Sequence, residues 1–426
     1  MGIPEEWRHT TESGLPVHHG PRKGAALFLK AADAGWLPYP GIMRRLDSRN
    51  VVLLVTALAF HVDTLLYCLL VPLLPRYAAE LHLTQFQVGV LFWSYALALL
   101  LATFPIARLT DRCGRKAPMM WGLVGLAFTT LAFAYSRSYG VLLIARALQG
   151  VAGAATWVPG MALVADHFPK EDRGRAMGIV FAGANLGLLI GPPLSGFLDH
   201  YIGPMAPFHL GIALVVIDAL GRAFLLKEAA PIRSLPIPWK VLLRNRVVLV
   251  FAGAMVLGAG FWTLMESALP LDFSQRLGLG PFGIGLLFGA AALAHTLSSP
   301  WMGKLSDRIG RARVLRIGLA ASMVLLPLPA LLNHGWAVAL AMGALGFNIS
   351  FLVSPCSPAV ADQIERMDSQ SFASGFSILN LAYSLGMILG PMAGGFLIDT
   401  LGLPWALGAL GLGFGAYLGA TRGLTT

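Results

Sequence analysis

The sequence is poor in charged residues. Asp, Glu, Lys and Arg make up 12% of its 426 residues, about half of the quarter that a soluble domain carries. Hydrophobic residues make up 56%, and apolar runs of roughly 20 residues, the length that crosses a hydrocarbon core as a helix, recur along the chain. Because no water satisfies backbone groups there, each run is predicted to be helical. The composition predicts an all-α integral membrane protein.

Cysteine is also scarce, with only Cys68, Cys113 and Cys356. Their spacing matches neither a disulfide framework nor a zinc site, and we expect all three to be buried packing thiols. The sequence has no G-x-S-x-G elbow, no phosphate-binding loop and no H-E-x-x-H motif. We therefore predict no metal, no cofactor and no enzymatic activity.

The net charge of +10 is concentrated in alternate loops. The basic loops hold Arg108, Arg112, Arg115 and Lys116; Lys170, Arg173 and Arg175; Lys227, Arg233, Lys240, Arg244 and Arg246; and Lys304, Arg308, Arg311, Arg313 and Arg316. The intervening loops hold the single arginines Arg76, Arg137 and Arg276. This asymmetry follows the positive-inside rule, so the basic loops are predicted to be cytoplasmic. The charge orients the protein in a lipid bilayer, and no nucleic-acid partner is expected.

Twelve membrane-spanning helices are predicted. They are residues 51–75, 85–107, 117–136, 139–166, 174–198, 205–225, 246–270, 281–303, 314–333, 335–362, 372–398 and 402–421. An even number of spans puts both termini on the same side of the membrane as the basic loops, which is predicted to be the cytoplasm. The basic, proline-containing stretch 227–245 is predicted to link the bundles 49–226 and 246–426. Residues 1–48 lack the features of a signal peptide and are predicted to be a cytoplasmic tail.

The two predicted bundles share short sequence repeats. Residues 109–116 (LTDRCGRK) recur as 305–312 (LSDRIGRA), 89–92 (GVLF) as 285–288 (GLLF), and 191–196 (GPPLSG) as 390–395 (GPMAGG). A duplicated half in an apolar chain is typical of a transporter built from two repeats around a central site.

The motifs resemble those of the major facilitator superfamily, specifically its twelve-helix drug:proton antiporters and the related vesicular amine transporters. The turn at 111–116 is similar to the family's loop motif between helices 2 and 3, and residues 143–150 (LIARALQG) to its helix 4 motif. The glycines Gly178, Gly187, Gly191 and Gly196, with Pro192, are similar to the helix 5 motif associated with antiporters. The resemblance implies the major facilitator fold, with two pseudo-symmetric six-helix bundles.

Residues 62–75 and 264–270 are similar to the first and seventh helices of the vesicular amine branch, where each helix carries an acid. Two other acids and a lysine of that branch are replaced here, by Asn380, Ser350 and Tyr95. These departures favour efflux of broader cationic or lipophilic compounds over narrow monoamine specificity.

Two acids inside predicted helices, Asp63 and Glu266, are candidates for both proton coupling and substrate binding. An ionised carboxylate in hydrocarbon is costly, so each must face a cavity or a partner, where a proton can be exchanged for a cation. The alternatives are a structural carboxylate at Asp63 and a snorkelling or gating charge at Glu266, which lies closer to a helix end.

Arg146 is the third proton-coupling candidate, a role that the family resemblance implies. A structural clamp is the alternative, since a buried arginine needs partners whatever its purpose. Further candidates for substrate binding are Asn380, Tyr67, Tyr95, Trp262 and Tyr383. Such aromatic side chains can bind a hydrophobic cation through their ring faces, although many in membrane proteins are lipid anchors or packing residues.

Two further sets of residues are expected to act in conformational change. The repeated cytoplasmic turn is predicted to form a latch between helix ends, made by Asp111, Arg112, Gly114, Arg115, Asp307, Arg308 and Gly310. The repeated glycine–proline segments are predicted to form packing contacts and hinges, made by Gly187, Gly191, Pro192, Gly390 and Pro391.

The leading functional hypothesis is a proton-coupled antiporter that exports small organic compounds by alternating access. A metabolite uptake symporter of the same fold is the first alternative, and a non-transporting membrane receptor is the second. The expected partners are a small-molecule substrate, protons and lipid, and the protein is expected to be a monomer in the plasma (inner) membrane.

Overall fold

The computed structural model describes residues 48–226, 242–366 and 372–423. The predicted tail up to residue 47 and the linker residues 227–241 lie outside the described residues. The bundle boundaries drawn from the sequence stay predictions.

Twelve helices in the described part are long and apolar enough to cross a membrane, as the sequence predicts. They are α1 (Arg49–Glu80), α2 (Gln85–Cys113), α3 (Lys116–Tyr135), α4 (Tyr139–His167), α5 (Asp172–Tyr201), α6 (Ala206–Leu225), α7 (Arg246–Leu277), α8 (Pro281–Ile309), α9 (Arg311–Leu331), α10 (Gly335–Glu365), α11 (Ser377–Leu401) and α12 (Leu403–Thr421). The regular helices that contain α5 and α11 begin earlier, at Lys170 and Phe372. No strand occurs among the residues described.

Several spans are interrupted near prolines. In α1 the regular helix Ser48–Cys68 is followed by a 3-10 turn, Val71–Leu73, and a short helix, Leu74–Glu80. α9 and α10 break between Leu325 and Leu328 and between Val353 and Cys356, at Pro327 and Pro355. Proline lacks the backbone donor that a continuous helix needs, which favours a break at these positions, whereas Pro105, Pro159 and Pro192 lie inside continuous helices.

Local sequence determines the start of α2 and the ends of α2 and α8. At the start of α2, the Thr84 hydroxyl accepts from the Gln87 amide while the Thr84 amide donates to the Gln87 side chain, a capping box. The repeated glycines Gly114 and Gly310 have φ values of 81° and 98°, a region that other residues adopt only with strain. The backbone of the turn therefore explains why both repeats keep glycine.

The packing follows the internal repeat. α4 packs against α2 and α3, as α10 packs against α8 and α9. Between the halves, α2 packs against α11 and α5 packs against α8. The internal repeat relates α2 to α8 and α5 to α11, so these two contacts are equivalent. A Cβ at Gly89 of α2 would overlap the carbonyl oxygen of Pro391, and one at Gly285 of α8 would overlap that of Pro192. The repeated glycine–proline segment of each half thus lies on the repeated glycine of the other.

Two sequence expectations need correction. Cys68 and Cys356 are buried as expected, but Cys113 is exposed, because it is the last residue of α2 and lies in the charged turn. Helices α2, α7 and α8 also extend about two turns beyond the predicted ends, since their polar final residues stay helical after the apolar run stops.

Candidate functional site

Asp63 is buried in the middle of α1, with 3% of the residue exposed. Its Oδ2 accepts a hydrogen bond of 2.8 Å from Nε1 of Trp157 on α4. The Trp157 ring is held against Phe60, with 4.1 Å between ring centroids. Because this donor is neutral, it does not balance the negative charge of an ionised Asp63.

Glu266 is equally buried, with 1% of the residue exposed. Its Oε2 accepts a hydrogen bond of 2.9 Å from the Tyr67 hydroxyl, and its Oε1 accepts one of 2.8 Å from Nε1 of Trp262. Tyr67 belongs to α1 and Glu266 to α7, so the first bond joins the two halves of the protein. Both donors are neutral, as at Asp63.

Arg146 on α4 is fully buried, and no carboxylate of the described residues forms an ion pair with it. Its Nη1 donates to Oε1 of Gln149 at 2.6 Å, whereas Nε and Nη2 have no hydrogen-bond partner within the described residues. Its guanidinium carbon lies 4.5 Å, 4.9 Å and 5.1 Å from the ring centroids of Tyr67, Phe92 and Tyr95. The positive charge therefore rests among aromatic faces, which stabilise a cation.

Two tyrosines connect these charged groups. The Tyr67 and Tyr95 rings lie 4.8 Å apart, and Tyr67 lies one helical turn after Asp63 on the same face of α1. A Cβ built at Gly153 of α4 would be 3.1 Å from the Tyr95 hydroxyl and 3.7 Å from Oδ2 of Asp63, so both groups border the same point. The structure thus brings Asp63, Glu266 and Arg146 together with three of the predicted aromatic residues, Tyr67, Tyr95 and Trp262, in one cluster, which we call the acid–arginine cluster.

The two α11 candidates are more exposed. Tyr383 is 40% exposed and interacts electrostatically with Glu266 and Tyr95, so it lies near the acid–arginine cluster. Asn380 lies about one turn earlier on the same helix and is also exposed.

The predicted latch residues form ion pairs within each half. Nε of Arg115 donates to Oδ2 of Asp166 at 2.8 Å, and Nε of Arg311 donates to Oδ2 of Asp362 at 2.6 Å. In both pairs the acid follows the arginine by 51 residues, at the end of α4 or α10. In the two turns, Asp111 and Asp307 add weaker pairs to these arginines, while Arg112 and Arg308 are exposed. The role of these turns as a latch stays a prediction.

The helix 5 glycines divide into two groups. Gly187 lies against the α1 backbone at His61 and Leu65, Gly191 against Cys68, and its counterpart Gly390 against the α7 backbone at Gly260. A Cβ at Gly178 would have no atom within 4 Å. The first group allows close helix approach, and Gly178 does not.

Sequence reasoning missed several contacts of the site. It did not identify Trp157 as the donor to Asp63, Phe92 as a ring over Arg146, or Asp166 and Asp362 as partners of the turn arginines. Phe92 lies in the repeated segment 89–92, and the equal spacing of the two ion pairs was a usable signal. The pairing of Trp157 with Asp63 required the packing of α4 on α1.

A cavity of about 520 Å³ lies away from this cluster, between α8, α9 and α10. Asn348 is the single polar residue of its lining, and none of the candidate acids borders it. Among the described residues, no group of three or more His, Cys, Asp or Glu side chains is arranged to hold a metal ion.

The Major Facilitator Superfamily model matches residues 52–271 and 254–421. Among solved structures, the fold is similar to an inward-facing, unoccupied bacterial homolog of the human lysosomal transporter Spinster, with a TM-score of 0.75, 16% identity, and coverage of 88% of this chain and 97% of that chain. The nucleoside transporter NupG is similar with a TM-score of 0.70 and 13% identity, over 88% of this chain and 98% of that chain. At these identities the likeness shows the fold alone.

In sequence, the chain is 31% identical over 330 residues to the synaptic vesicular amine transporter of Bos taurus. The alignment spans 76% of this chain and 64% of the length of that relative. The probable vesicular acetylcholine transporter-B of Danio rerio is 28% identical over 407 residues, 90% of this chain and 81% of the relative. The resemblance inferred from the motifs is confirmed: the chain belongs to the major facilitator superfamily, in which its sequence is similar to those of the vesicular amine transporters.

Proposed function

We propose that this protein is a proton-coupled antiporter that exports small cationic or lipophilic organic compounds, amines among them. The observation that carries the proposal is the charge balance of the acid–arginine cluster. With Asp63 and Glu266 both ionised and Arg146 positive, two negative charges face one positive charge in a buried site. One proton or one cationic substrate restores neutrality, and a second positive charge is then disfavoured. Competition of this kind is what exchange requires.

The walls of the cluster suit an organic cation. Tyr67, Tyr95 and Trp262 are buried beside the acids, and aromatic faces attract a cation most strongly when it is desolvated. A hydrophobic amine can therefore place its charge near a carboxylate and its apolar part against the rings. The names of the vesicular amine relatives support the same class of substrate.

Contacts between the halves support alternating access. The Gln85 side chain donates to the Ser267 carbonyl oxygen at 2.8 Å, and the Phe86 amide donates to Oδ2 of Asp399 at 3.0 Å. Both bonds lie at the end of the bundle where the loops carry few basic residues, which we call the weakly charged end. Rocking of the halves about the central cluster would break them and open this end.

The proposed orientation rests on the loop charges. The basic loops are proposed to face the cytoplasm, which places both termini there and makes the weakly charged end external. The plasma (inner) membrane is the proposed site, and the cargo is then released to the outside.

Transport of a permanent cation in proteoliposomes tests the exchange. Tetraphenylphosphonium carries no exchangeable proton, but it crosses bilayers in response to membrane potential. With that potential held at zero by valinomycin and equal K⁺ on both sides, accumulation beyond that of protein-free liposomes in a pH gradient arises from the protein. We expect the gradient to drive its accumulation and Asp63→Asn to reduce accumulation to the level of protein-free liposomes. Glu80→Gln, which removes an exposed acid at the end of the same helix, should transport normally. Wild-type transport that ignores the pH gradient would refute the proposal.

A further inference from the structure

Tyr67 occupies a position that the proposed exchange does not explain. Its hydroxyl donates to Glu266 across the two halves at 2.9 Å, and its ring covers the Arg146 guanidinium at 4.5 Å. It lies just before the 3-10 turn Val71–Leu73, which packs against α7 and α8 of the other half. The bond is therefore made where α1 crosses to the second bundle, and it must break when the halves separate at this point.

The strength of this bond depends on the charge of Glu266. A hydrogen bond to an ionised carboxylate is roughly twice as strong as one between neutral groups. When Glu266 is ionised and has no cargo, the Tyr67 bond is at its strongest. A proton on the carboxyl group, or a cationic group beside it, removes the uncompensated charge and weakens the bond.

On the basis of the proposed antiport, we propose that Tyr67 couples proton flux to cargo flux. It does so by holding the two halves together whenever Glu266 is ionised and has no cargo beside it. An exchanger must not change conformation without a load, since an empty return step lets cargo move without protons. Either load at Glu266 releases the hydrogen bond and permits the conformational change. Tyr67 is in this sense a positioning residue: it acts through Glu266 rather than by carrying a proton.

Other groups surround Glu266 and belong in the same balance. They are Arg146 from α4, Cys68 from α1, Tyr383 from α11, and His295 from α8, whose ring lies 5.9 Å from that of Trp262. Asp63 interacts electrostatically with Arg146 and Cys68, which also interact with Glu266. None of the hydrogen bonds described for His295 reaches Glu266, since its Nδ1 contacts the Ser350 hydroxyl. Glu266→Gln isolates the contribution of the Glu266 charge from those of the surrounding groups, because glutamine keeps an oxygen acceptor for Tyr67 but cannot ionise.

Tyr67→Phe tests the inference in proteoliposomes. It removes the hydroxyl but keeps the ring over Arg146. We expect gradient-driven accumulation of tetraphenylphosphonium to fall about tenfold, the effect of losing one hydrogen bond to a charged group. Exchange of internal labelled for external unlabelled cation should fall less than driven accumulation, so that the ratio of accumulation to exchange drops several-fold, because loaded steps need no such bond. Tyr77→Phe is the matched control, since its hydroxyl donates to the Phe133 carbonyl oxygen at 2.8 Å within one half.

A conformational measurement gives a readout that does not depend on transport. Spin labels at Ala79→Cys and Gln275→Cys, exposed positions at the weakly charged end of the two halves, report their separation in a Cys113→Ser background. Without cargo, the closed population should grow from acidic to alkaline pH in the wild type, and lose that dependence in both Tyr67→Phe and Glu266→Gln. Equal pH dependence in wild type and Tyr67→Phe would overturn the inference. Absence of gradient-driven transport in the wild type would instead refute the antiport, and the spin-label comparison would still decide the role of Tyr67.

Discussion

At the scale of single residues, the protein contains two kinds of buried charge. Asp218 and Arg222 of α6 are fully buried and satisfy each other, with Nε of Arg222 donating to Oδ1 of Asp218 at 2.9 Å. Arg222 also donates to the Met119 carbonyl oxygen at 2.9 Å. Arg146, Asp63 and Glu266 have only neutral partners in their described contacts. A closed ion pair is structural, whereas separated charges of opposite sign leave room for a mobile ion.

The closed pair should be a strong determinant of stability. Asp218→Asn leaves the Arg222 cation buried without its counter-charge, and we expect the free energy of unfolding to fall by about 3–5 kcal/mol. Asp272→Asn is the matched control, because Asp272 and Arg276 have the same spacing but are partly exposed. That loss should be about 1 kcal/mol or less. Thermal unfolding in detergent measures both, and similar losses in the two variants would contradict this assignment.

At the scale of helices, the repeated sequences form two equivalent crossings. The carbonyl oxygen of Pro391 lies on Gly89 and that of Pro192 lies on Gly285. Both crossings join one half to the other, α2 to α11 and α5 to α8. The glycines are needed because backbone, rather than a flexible side chain, lies where a Cβ would be.

Alanine substitution should distinguish these glycines from others. Gly89→Ala or Gly285→Ala forces the crossing helices apart, and we expect each to cost about 1–3 kcal/mol, the range for overpacked sites. Gly178→Ala adds a methyl group where no atom lies within 4 Å, so it should stabilise α5 by up to about 1 kcal/mol through helix propensity. Denaturation in detergent ranks the three variants. Gly89→Ala as stable as Gly178→Ala would show that the crossing is not tight.

Whether the sequence could predict an interaction depends on how far apart its partners lie along the chain. Helices follow from local apolar runs and were predicted, and the spacing of one turn between Asp218 and Arg222 is a local signal of the same kind for their pairing. The contact of Tyr67 with Glu266 spans 199 residues, and that of Trp157 with Asp63 depends on how α4 rotates against α1. No local pattern encodes those two contacts. Cys113 was wrongly predicted to be buried, because helix α2 continues beyond its apolar run into the exposed turn.

At the scale of the whole molecule, these hydrogen bonds between the halves and the ion pairs within each half lie at opposite ends of the bundle. The hydrogen bonds from Gln85 and Phe86 to the other half lie at the weakly charged end. The ion pairs of Arg115 and Arg311 lie at the basic end, each inside its own half. If the basic end is cytoplasmic, this conformation is held closed on the external side, which is the state that a cytoplasmic cargo would enter.

The native cysteines test that orientation. Cys113 is exposed in the basic turn after α2, while Cys68 and Cys356 are buried. A membrane-impermeant maleimide should therefore leave the protein unlabelled in intact cells and label it in inside-out vesicles, because positive loops are retained in the cytoplasm. Cys113→Ser should abolish that labelling. Adding Ala79→Cys to this variant should restore labelling from outside the cell, since Ala79 is exposed at the opposite end. Labelling of Cys113 in intact cells would reverse the orientation and turn the proposed export into uptake.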